Sequence, residues 1–520
     1  MVRRRRPRSR GTFRDVGWRP VHPHQRLSRI GASAVRFLTS RSRAARSELV
    51  DCGNIVGEKG DFAMTDIAAR IAGEQGTYVD IGSLRSRSEN AGVSDRRPIT
   101  VPADRYISAD FAARENVLMW PKVWQLATTL DSVPNPGDFV EFTVGRLSAI
   151  VLRDQSGTLR AFQNVCLHRG IELCHGSGEG LTELRCQYHR WCWNLDGVLK
   201  EIPSRRDFGV VNNDDYGLRA LAIDTWGPLV FVNFDAEAMP LADYLGGAPA
   251  DAAHQDLDDF RCRFQVTVAV PANWKTTADG FSETLHVQGL HPELLQIYDD
   301  LDSDQVAWDH AARSRQPYGR PSPRIRPTPS DQDVWNAYAA VFSSRVGLDP
   351  ADPGEVPPIG EGQSLMSVMA DQLRAARAAQ GIDLDRFTDE QLMTLDQYNI
   401  FPNITVLVFP DLLSVLRSRP GDSPDECFLD AFQFDRVNPG DTSERTKPLS
   451  VDVPLGEASF GVVLDQDFAL LRHAQRGLHQ PGFTRLTLAQ EEIRVVNTHR
   501  NLERYLGIEP SEIEGDHPFA

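Results

Sequence analysis

Four side chains between residues 164 and 197 have the types and the spacing of a metal site. Cys166 and His168 are followed, after seventeen intervening residues, by Cys186 and His189. The stretch NVCLHRGIELCHGSGEGLTELRCQYHRWCWNLDG holds four of the chain's seven cysteines. A disulfide framework, a zinc site and an iron–sulfur cluster all use such residues. The odd and low cysteine count disfavours the disulfide framework and leaves the two kinds of metal site.

The order of the ligand types distinguishes these two metal sites. A zinc finger of the Cys2His2 type pairs cysteine with cysteine and then histidine with histidine. Here each of two segments supplies one cysteine and one histidine. This alternation suits a Rieske 2Fe-2S centre, in which two thiolates hold one iron and two imidazoles hold the other. A structural zinc site stays the alternative.

The segment resembles the Rieske domain of ring-hydroxylating and related Rieske non-haem iron oxygenases. CLHRGIEL resembles the family's C-x-H-R-G-x-x-L loop, and CQYHRWCWNLDG resembles its C-P-Y-H-G-W-x-Y-x-x-D-G loop. Gln187 replaces the usual proline and Arg190 the usual glycine, two changes that affect loop stiffness rather than ligation. Cys174 and Cys192 do not fall where respiratory Rieske proteins carry a disulfide, so we predict that they are packing thiols.

A second group of possible ligands follows about a hundred residues later. The stretch NWKTTADGFSETLHVQGLHPE contains Glu283, His286 and His291. On an ideal helix five residues turn about 500°, so the two histidines would point roughly 140° apart. They can converge only if the helix is distorted or ends between them, and Gly289 and Pro292 allow both.

This stretch resembles the catalytic motif of the same oxygenases, N-W-K-x3-E-N-x2-[DE]-x2-H-x4-H, with Asp-Gly in place of the usual Glu-Asn. The resemblance implies that His286 and His291 bind a mononuclear Fe(II). It also implies that Glu283 hydrogen-bonds a Rieske histidine of a neighbouring subunit, here His189, and so bridges the two metal centres. The alternative is that Glu283 only orients His286.

A carboxylate would complete a facial triad that leaves positions open for O2. The segment GVVLDQDFALLRHAQRGL offers Asp465 and Asp467. Helical periodicity puts Asp467 on an apolar face with Phe468, and Asp465 on the opposite face with Arg472. An aspartate on an apolar face is costly without a partner, so we predict that Asp467 is the ligand. We predict that Asp465 is solvated and arginine-paired. The resemblance implies the same choice, through an eight-residue step to Gln475.

The elements that carry these residues predict an α+β fold. Runs such as FVEFTVG, SAIVLRD and LRAFQNVC predict a small antiparallel β domain over residues 120–237, with the four ligands in its loops. Residues 238–520 mix strands such as CRFQVTVAV with helices such as SLMSVMADQLRAARAAQ. They predict a larger catalytic domain with an antiparallel sheet flanked by helices. Two segments rich in Pro and Gly, 313–330 and 347–363, are predicted to be mobile loops.

The amino-terminal part differs in charge from the rest. Residues 1–63 contain fourteen arginines and one lysine against five acidic residues, in a chain of net charge −16. They are predicted to be a basic disordered tail, or sequence upstream of a true start at Met64. Residues 64–119 are predicted to pack on the catalytic domain. The acidic body disfavours nucleic acid and anionic membranes as partners, and no apolar run is long enough to span a bilayer. These features predict a cytoplasmic protein.

The resemblance implies the oxygenase component of a multiprotein system. A separate reductase or ferredoxin would supply electrons, and O2 would be used to hydroxylate a small apolar organic substrate, by cis-dihydroxylation of an aromatic ring in the leading interpretation. One alternative is a Rieske monooxygenase that performs O- or N-dealkylation or a single hydroxylation. Another is an electron-transfer protein without catalysis. The resemblance also implies a homotrimer, with or without a separate β subunit.

Overall fold

The computed structural model describes residues 78–79, 97–457 and 459–509. The predicted basic tail, residues 1–63, lies outside these residues, as does most of the predicted segment 64–119. Among the described residues, no helix is both long enough and apolar enough to cross a bilayer.

The first half of the described chain is built from short strands. In order they are β1 (Tyr78–Val79), β2 (Ile99–Pro102), β3 (Gln125–Thr129), β4 (Phe139–Val144), β5 (Leu147–Arg153), β6 (Leu159–Gln163), β7 (Ser177–Gly178), β8 (Leu184–Arg185), β9 (Cys192–Trp193), β10 (Leu199–Glu201), β11 (Ala222–Trp226) and β12 (Leu229–Asn233). Strands β3 to β12 form three small sheets, ordered β6-β5-β4-β7, β10-β9-β8 and β11-β12-β3, in which every pairing is antiparallel. Strands β1 and β2 pair instead with two strands of the second half, β16 and β22. The predicted antiparallel β domain is confirmed.

The longer strands follow. They are β13 (Phe260–Val270), β14 (Asp304–Ala307), β15 (Ala311–Pro317), β16 (Ile325–Arg326), β17 (Thr394–Ile400), β18 (Ile404–Phe409), β19 (Leu412–Pro420), β20 (Cys427–Arg436), β21 (Leu449–Val453) and β22 (Arg485–Leu488). Eight of them form one sheet in the order β14-β15-β17-β18-β19-β20-β13-β21. Its pairings are antiparallel except at one edge, where β21 runs parallel to β13. Val415 pairs with Phe432 at the centre, and both side chains are buried.

Helices flank this sheet, as predicted. They are α1 (Asp104–Ile107), α2 (Ala109–Arg114), α3 (Leu241–Leu245), α4 (Ala248–Asp251), α5 (Trp274–Gly280), α6 (Val287–Leu290), α7 (Asp331–Val346), α8 (Leu365–Ala378), α9 (Asp389–Leu392), α10 (Val462–Leu478) and α11 (Ile493–Leu506). The α8 sequence is the one whose helical pattern was clearest, and helical periodicity was also assumed for the α10 sequence. Both form helices, and together with the sheets they confirm the α+β class.

Strand β5 packs on both of its faces. Ala149 and Val151 belong to the core that also contains the large sheet. Ile150 and Leu152 belong to a separate core beneath the two cysteine–histidine loops. Successive side chains of a strand point to opposite faces, so the apolar run SAIVL is buried on both sides. The small β domain is therefore joined to the rest of the chain through a common core.

One predicted loop is wrong in part. Residues 313–330 were expected to be a mobile loop, but Ala311–Pro317 form β15, an inner strand paired with β14 and β17. The arginines of this strand look like loop residues in the sequence. Arg315 is instead satisfied by the buried carboxylate of Asp396, at 2.8 Å between Nε and Oδ1. An ion pair with a buried carboxylate thus allows a polar sequence to form an inner strand.

The segment that precedes residue 120 packs on the second half of the chain. Strand β2 pairs with β22. Arg105 lies 2.7 Å from Glu503 of α11, and Glu115 lies 2.6 Å from Lys275 of α5. The domain limits at residues 120 and 238 stay predictions, because the core is continuous across them.

Breaking the ion pair between Lys275 and Glu115 should lower the free energy of unfolding. Both side chains are almost fully buried, and Trp274 Nε1 also donates to Glu115 at 3.2 Å. Lys275→Met would leave a buried carboxylate without its counter-charge, so we expect a loss of about 3–5 kcal/mol in urea unfolding. Lys200→Met is the control, because the Lys200–Glu183 pair is exposed to solvent and its loss should change the free energy of unfolding far less. Equal losses in the two variants would contradict the prediction.

Candidate metal centres

The chain between α5 and β14 brings two histidines together. Helix α5 ends at Gly280, and α6 spans only Val287–Leu290. His286 precedes this short helix and His291 follows it, with φ −122° and ψ 62°, outside the helical range. The helix therefore ends between the two histidines, as their spacing required.

His286, His291 and Asp467 form one cluster. Their ligand atoms all lie within 4.8 Å of one another. Asp467 Oδ1 is 3.1 Å from His291 Nε2 and 3.7 Å from His286 Nε2. His291 is buried, whereas the other two side chains keep a small exposed fraction. The structure thus joins the three residues that the sequence predicted as a facial triad.

Hydrogen bonds on the far side of each imidazole fix its tautomer. Gln466 Nε2 donates to the Glu293 carboxylate at 2.6 Å, so the Gln466 oxygen faces His291. His291 Nδ1 lies 2.5 Å from that oxygen and must donate to it. His286 Nδ1 likewise meets the carboxylate of Glu283. With its proton held on Nδ1, each imidazole in the neutral form directs the lone pair of its Nε2 toward Asp467.

The hydrogen bond between Glu283 and His286 decides the direction in which the pKa of each group is shifted. Burial disfavours the charged form of both groups, but their hydrogen bond outweighs it. The bond lowers the pKa of Glu283 and raises the pKa of His286. Glu283 also accepts from the backbone N–H of His286 at 3.1 Å. This carboxylate holds the loop and the ring in one orientation.

The cluster suits a cation. Asp467 Oδ1 lies 3.1 Å from one Nε2 atom and 3.7 Å from the other. A carboxylate oxygen and the lone pairs of two neutral imidazoles repel at these distances unless a positive charge lies between them. Two histidines and one carboxylate with the remaining directions open are the ligand set of non-haem Fe(II) oxygenases. The residues present fit the predicted mononuclear iron.

A glutamine two turns further along α10 positions Asp467. Gln475 Oε1 accepts from the backbone N–H of Asn273 at 2.9 Å and from the hydroxyl of Thr276 at 3.0 Å. Gln475 is buried, and these bonds tie α10 to the start of α5. The helix that carries the carboxylate is thereby held against the segment that leads to the histidines. This role for Gln475 was not predicted, and neither was that of Gln466.

Asp465 does not join the cluster. Its carboxylate accepts from the Ser459 hydroxyl at 2.6 Å and from the Phe460 N–H at 2.8 Å. The prediction of a solvated, arginine-paired Asp465 was wrong, because the residues before α10 fold back onto the first turn. Helical periodicity separated Asp465 from Asp467, but it could not show this local turn.

The other predicted site occupies two loops of the small β domain. Cys166 and Cys186 are buried at the loop starts, and burial raises the pKa of the Cys166 thiol. The rings of His168 and His189 lie further out, with centroids 4.5 Å apart and planes at 74°. His168 also stacks on Trp191, at 5.3 Å and 4°. The two thiols and the two imidazoles therefore form an inner and an outer pair.

The geometry of this site differs from that of a single-ion site. Within the described ranges, only two groups of three or more His, Cys, Asp or Glu ligand atoms converge within 4.8 Å, and the four loop residues are in neither. A tetrahedral zinc ion would draw its ligands that close. A two-iron cluster separates a thiolate pair from an imidazole pair. In addition, His168 Nδ1 is buried without a hydrogen-bond partner, as expected for an atom that binds a metal. The residues fit a 2Fe-2S cluster.

Two further observations complete this region. The second convergent group, Glu141, Glu172 and His175, is largely exposed, and Glu141 already accepts from the Gly176 N–H at 2.8 Å.

Cys174 and Cys192 are buried, and the six described cysteines are all free of disulfides. These two cysteines pack in the domain interior, as predicted.

Two family models match the chain in the order of the two sites. A Rieske [2Fe-2S] domain matches residues 123–217. The ring hydroxylating alpha subunit (catalytic domain) matches residues 257–508. The first match contains both cysteine–histidine loops. The second contains His286, His291 and Asp467.

Several characterised proteins are similar over part of their length. The glycine betaine monooxygenase oxygenase subunit of Pseudomonas aeruginosa is 30% identical over 195 residues, 37% of this chain and 44% of that protein. The carnitine monooxygenase oxygenase subunit of Escherichia coli is 29% identical over 206 residues, 39% and 55% of the two chains. The biphenyl 2,3-dioxygenase alpha subunit of Rhodococcus jostii is 28% identical over 258 residues, 47% and 54%. The chain thus spans about half the length of the curated relatives it matches.

Solved structures share the fold. A quaternary ammonium Rieske monooxygenase aligns with a TM-score of 0.56 at 17% identity, over 78% of this chain and 95% of that one. Naphthalene 1,2-dioxygenase aligns with a TM-score of 0.57 at 17% identity, over 81% and 96%. The two family models place a Rieske [2Fe-2S] domain ahead of a ring-hydroxylating catalytic domain, and on this ground the chain belongs to the Rieske non-haem iron oxygenases.

Proposed function

We propose that this chain is the oxygenase component of a Rieske system. The observation that carries the proposal is the convergence of His286, His291 and Asp467, with both Nδ1 protons held on the far side. These three residues would hold Fe(II). The four loop residues would hold the 2Fe-2S cluster, namely Cys166, His168, Cys186 and His189. When bound, the two groups supply electron storage and O2 activation.

The chain's own residues would orient these groups. Glu283 and Gln466 keep Nε2 of each histidine free of a proton and directed inward. Gln475 holds the carboxylate-bearing helix against α5. A separate reductase or ferredoxin would supply the electrons. We further propose a homotrimer, with or without a β subunit, and a cytoplasmic location.

We propose monooxygenation of a quaternary ammonium compound rather than cis-dihydroxylation of an aromatic ring. Two of the relatives described above are oxygenase subunits for glycine betaine and carnitine. This favours the monooxygenase alternative over the leading interpretation from the sequence. Hydroxylation of a carbon bound to a quaternary nitrogen breaks the C–N bond and yields a tertiary amine and a carbonyl compound. One oxygen atom enters the substrate and the other leaves as water, with two electrons and two protons consumed. Aromatic dihydroxylation is the second candidate, which the biphenyl dioxygenase relative supports.

The substrate class can be tested by oxygen uptake with product analysis. The purified protein, with a surrogate reductase and NADH, would be given glycine betaine, carnitine, biphenyl and naphthalene in turn. Uptake coupled to release of an amine from an ammonium compound would support the proposal. Coupled formation of a cis-diol would overturn it in favour of the second candidate. Uptake that releases only hydrogen peroxide with all four compounds would also count against the proposed substrate class.

The metal content tests the assignment of both sites. We expect about three irons and two acid-labile sulfides per chain, two irons in the cluster and one bound singly. His286→Ala should remove one iron and leave the visible spectrum of the cluster unchanged. Stoichiometric zinc without sulfide would contradict the cluster assignment. Loss of the cluster spectrum in His286→Ala would contradict the separation into two sites.

Removing the Gln466 amide should weaken the single-iron site. Gln466→Leu keeps the side-chain volume but leaves His291 Nδ1 without its acceptor, so the ring can turn or change tautomer. We expect iron affinity to fall by roughly 10- to 100-fold, measured by competition with a chelator. The control is Gln480→Leu on the exposed end of the same segment, which should bind iron as the wild type does. Equal affinity in the two variants would contradict a role for Gln466.

A further inference from the structure

The two cysteine–histidine loops have the same backbone hydrogen bonding. In the first cluster loop (residues 166–171), the N–H of Cys166 donates to the Ile171 carbonyl at 2.8 Å. The N–H of Gly170 donates back to the Cys166 carbonyl at 2.9 Å. The fifth residue of this loop, Gly170, has φ +77°, in the left-handed region. A Cβ atom added at Gly170 would meet nothing within 4 Å.

The second cluster loop (residues 186–191) repeats the pattern. Cys186 N–H donates to the Trp191 carbonyl at 2.8 Å, and Arg190 N–H donates to the Cys186 carbonyl at 3.1 Å. Its fifth residue is Arg190, with φ +64°. Glycine adopts this conformation freely, whereas a residue with a Cβ does so at a cost in free energy. An arginine therefore occupies a strained position that the first loop gives to glycine.

No contact of the Arg190 side chain compensates for this strain. The side chain is exposed, and within the described part of the chain it makes no hydrogen bond or ion pair. The nearby carboxylates have other partners. Glu183 and Glu201 both bind Arg185, at 2.7 and 2.8 Å, and Lys200 also binds Glu183. The guanidinium of Arg190 therefore contributes an unpaired positive charge instead of a structural contact.

The residue that carries this charge directly follows a histidine of the outer pair. Each histidine is followed directly by an arginine, His168 by Arg169 and His189 by Arg190. Arg169 contacts the Tyr188 hydroxyl at 3.4 Å and its ring at 5.5 Å, neither of which carries a negative charge. Each histidine of the outer, imidazole pair is therefore followed in the chain by an arginine that has no carboxylate partner among the described residues.

We propose that Arg190 raises the reduction potential of the cluster. Reduction adds one electron, and hence one negative charge, to the cluster without making or breaking a bond. A nearby uncompensated cation stabilises the reduced state relative to the oxidised state by Coulomb attraction, and this gives the arginine at the strained position a role that its contacts do not. The inference rests on the proposed 2Fe-2S assignment. In this proposal Arg190 does not bind the cluster, and its charge changes the reduction potential of the cluster that the neighbouring residues hold.

The test is a potentiometric titration of the purified holoprotein, with dithionite as electron donor and the visible spectrum as readout. At the wild-type midpoint potential and low salt, Arg190→Gln should lower the ratio of reduced to oxidised cluster by roughly threefold. Arg190→Lys should keep the wild-type ratio. High salt should shrink the difference, because the charge is exposed. Arg476→Gln, which removes an exposed arginine of α10, is the control for net charge and should leave the ratio unchanged.

Each outcome decides the question. A wild-type midpoint for Arg190→Gln at low salt, or an equal shift for Arg190→Lys or Arg476→Gln, would overturn the inference. Arg190→Gly should shift the midpoint as Arg190→Gln does and should also raise the melting temperature, because only glycine relieves the strain. Sulfide and iron analysis of the wild type distinguishes a failure of the 2Fe-2S assignment from a failure of the role proposed for Arg190. Absence of a 2Fe-2S cluster would refute the proposed function, whereas an intact cluster with an unmoved potential would refute the role of Arg190 alone.

Discussion

Asp467→Ala is expected to abolish product formation and to release the single iron while the cluster remains. The carboxylate of Asp467 provides the negative charge that faces both Nε2 atoms, and alanine leaves two neutral nitrogens for a doubly charged ion. Iron analysis should fall from about three to about two irons per chain. The visible spectrum should be that of the wild type.

Asp465→Ala is the matched control on the same helix. It should keep iron and activity, because Asp465 contacts only the turn before α10. Loss of two hydrogen bonds at this turn should lower the stability by about 1–2 kcal/mol, which thermal unfolding would detect. Iron loss in Asp465→Ala with retention in Asp467→Ala would show that the wrong carboxylate had been chosen.

In Glu283→Gln both metal centres are expected to keep their metals, but electron transfer from one centre to the other should slow. Glutamine has the size of glutamate and keeps one acceptor, yet it removes the charge that the hydrogen bond with His286 stabilises. If the subunits assemble as in the family, His189 of one chain meets Glu283 of the next. Electron flow should then slow by roughly 10- to 100-fold.

A single-turnover experiment measures this effect directly. The cluster would be reduced, substrate and O2 added, and reoxidation followed by absorbance. Glu444→Gln, at an exposed position, is the control and should reoxidise at the wild-type rate. Wild-type reoxidation in Glu283→Gln would mean that Glu283 only orients His286. Full activity of a dilute monomer would argue against any route between subunits.

Most of the fold follows from local patterns. Short β-branched runs predicted β4, β5 and β6, and amphipathic periods predicted α8 and α10. The error at β15 has a physical cause: its arginines are neutralised by carboxylates distant in sequence, such as Asp396. The parallel edge between β13 and β21 is also a matter of tertiary pairing, and no local pattern encodes it.

The metal ligands could be predicted from the sequence more fully than the residues that position them. The spacing of the cysteines and histidines pointed to a cluster, and helical periodicity distinguished Asp467 from Asp465. Glu283 was predicted, as one alternative, to orient His286, but the roles of Gln466 and Gln475 were missed. Gln466 and Gln475 are ordinary helix residues in the sequence, and their roles depend on which side chains of other elements face them. The turn that satisfies Asp465 was missed for the same reason.

The shared core beneath β5 has a consequence for protein engineering. A fragment cut at the limits of the small β domain would expose Ala149 and Val151, together with the apolar strand β12, to water. Electron storage and oxygen chemistry therefore cannot be exchanged between relatives as separate modules by cutting at residue 237. A working chimera would have to carry β3, β5 and β12 together with the matching face of the large sheet.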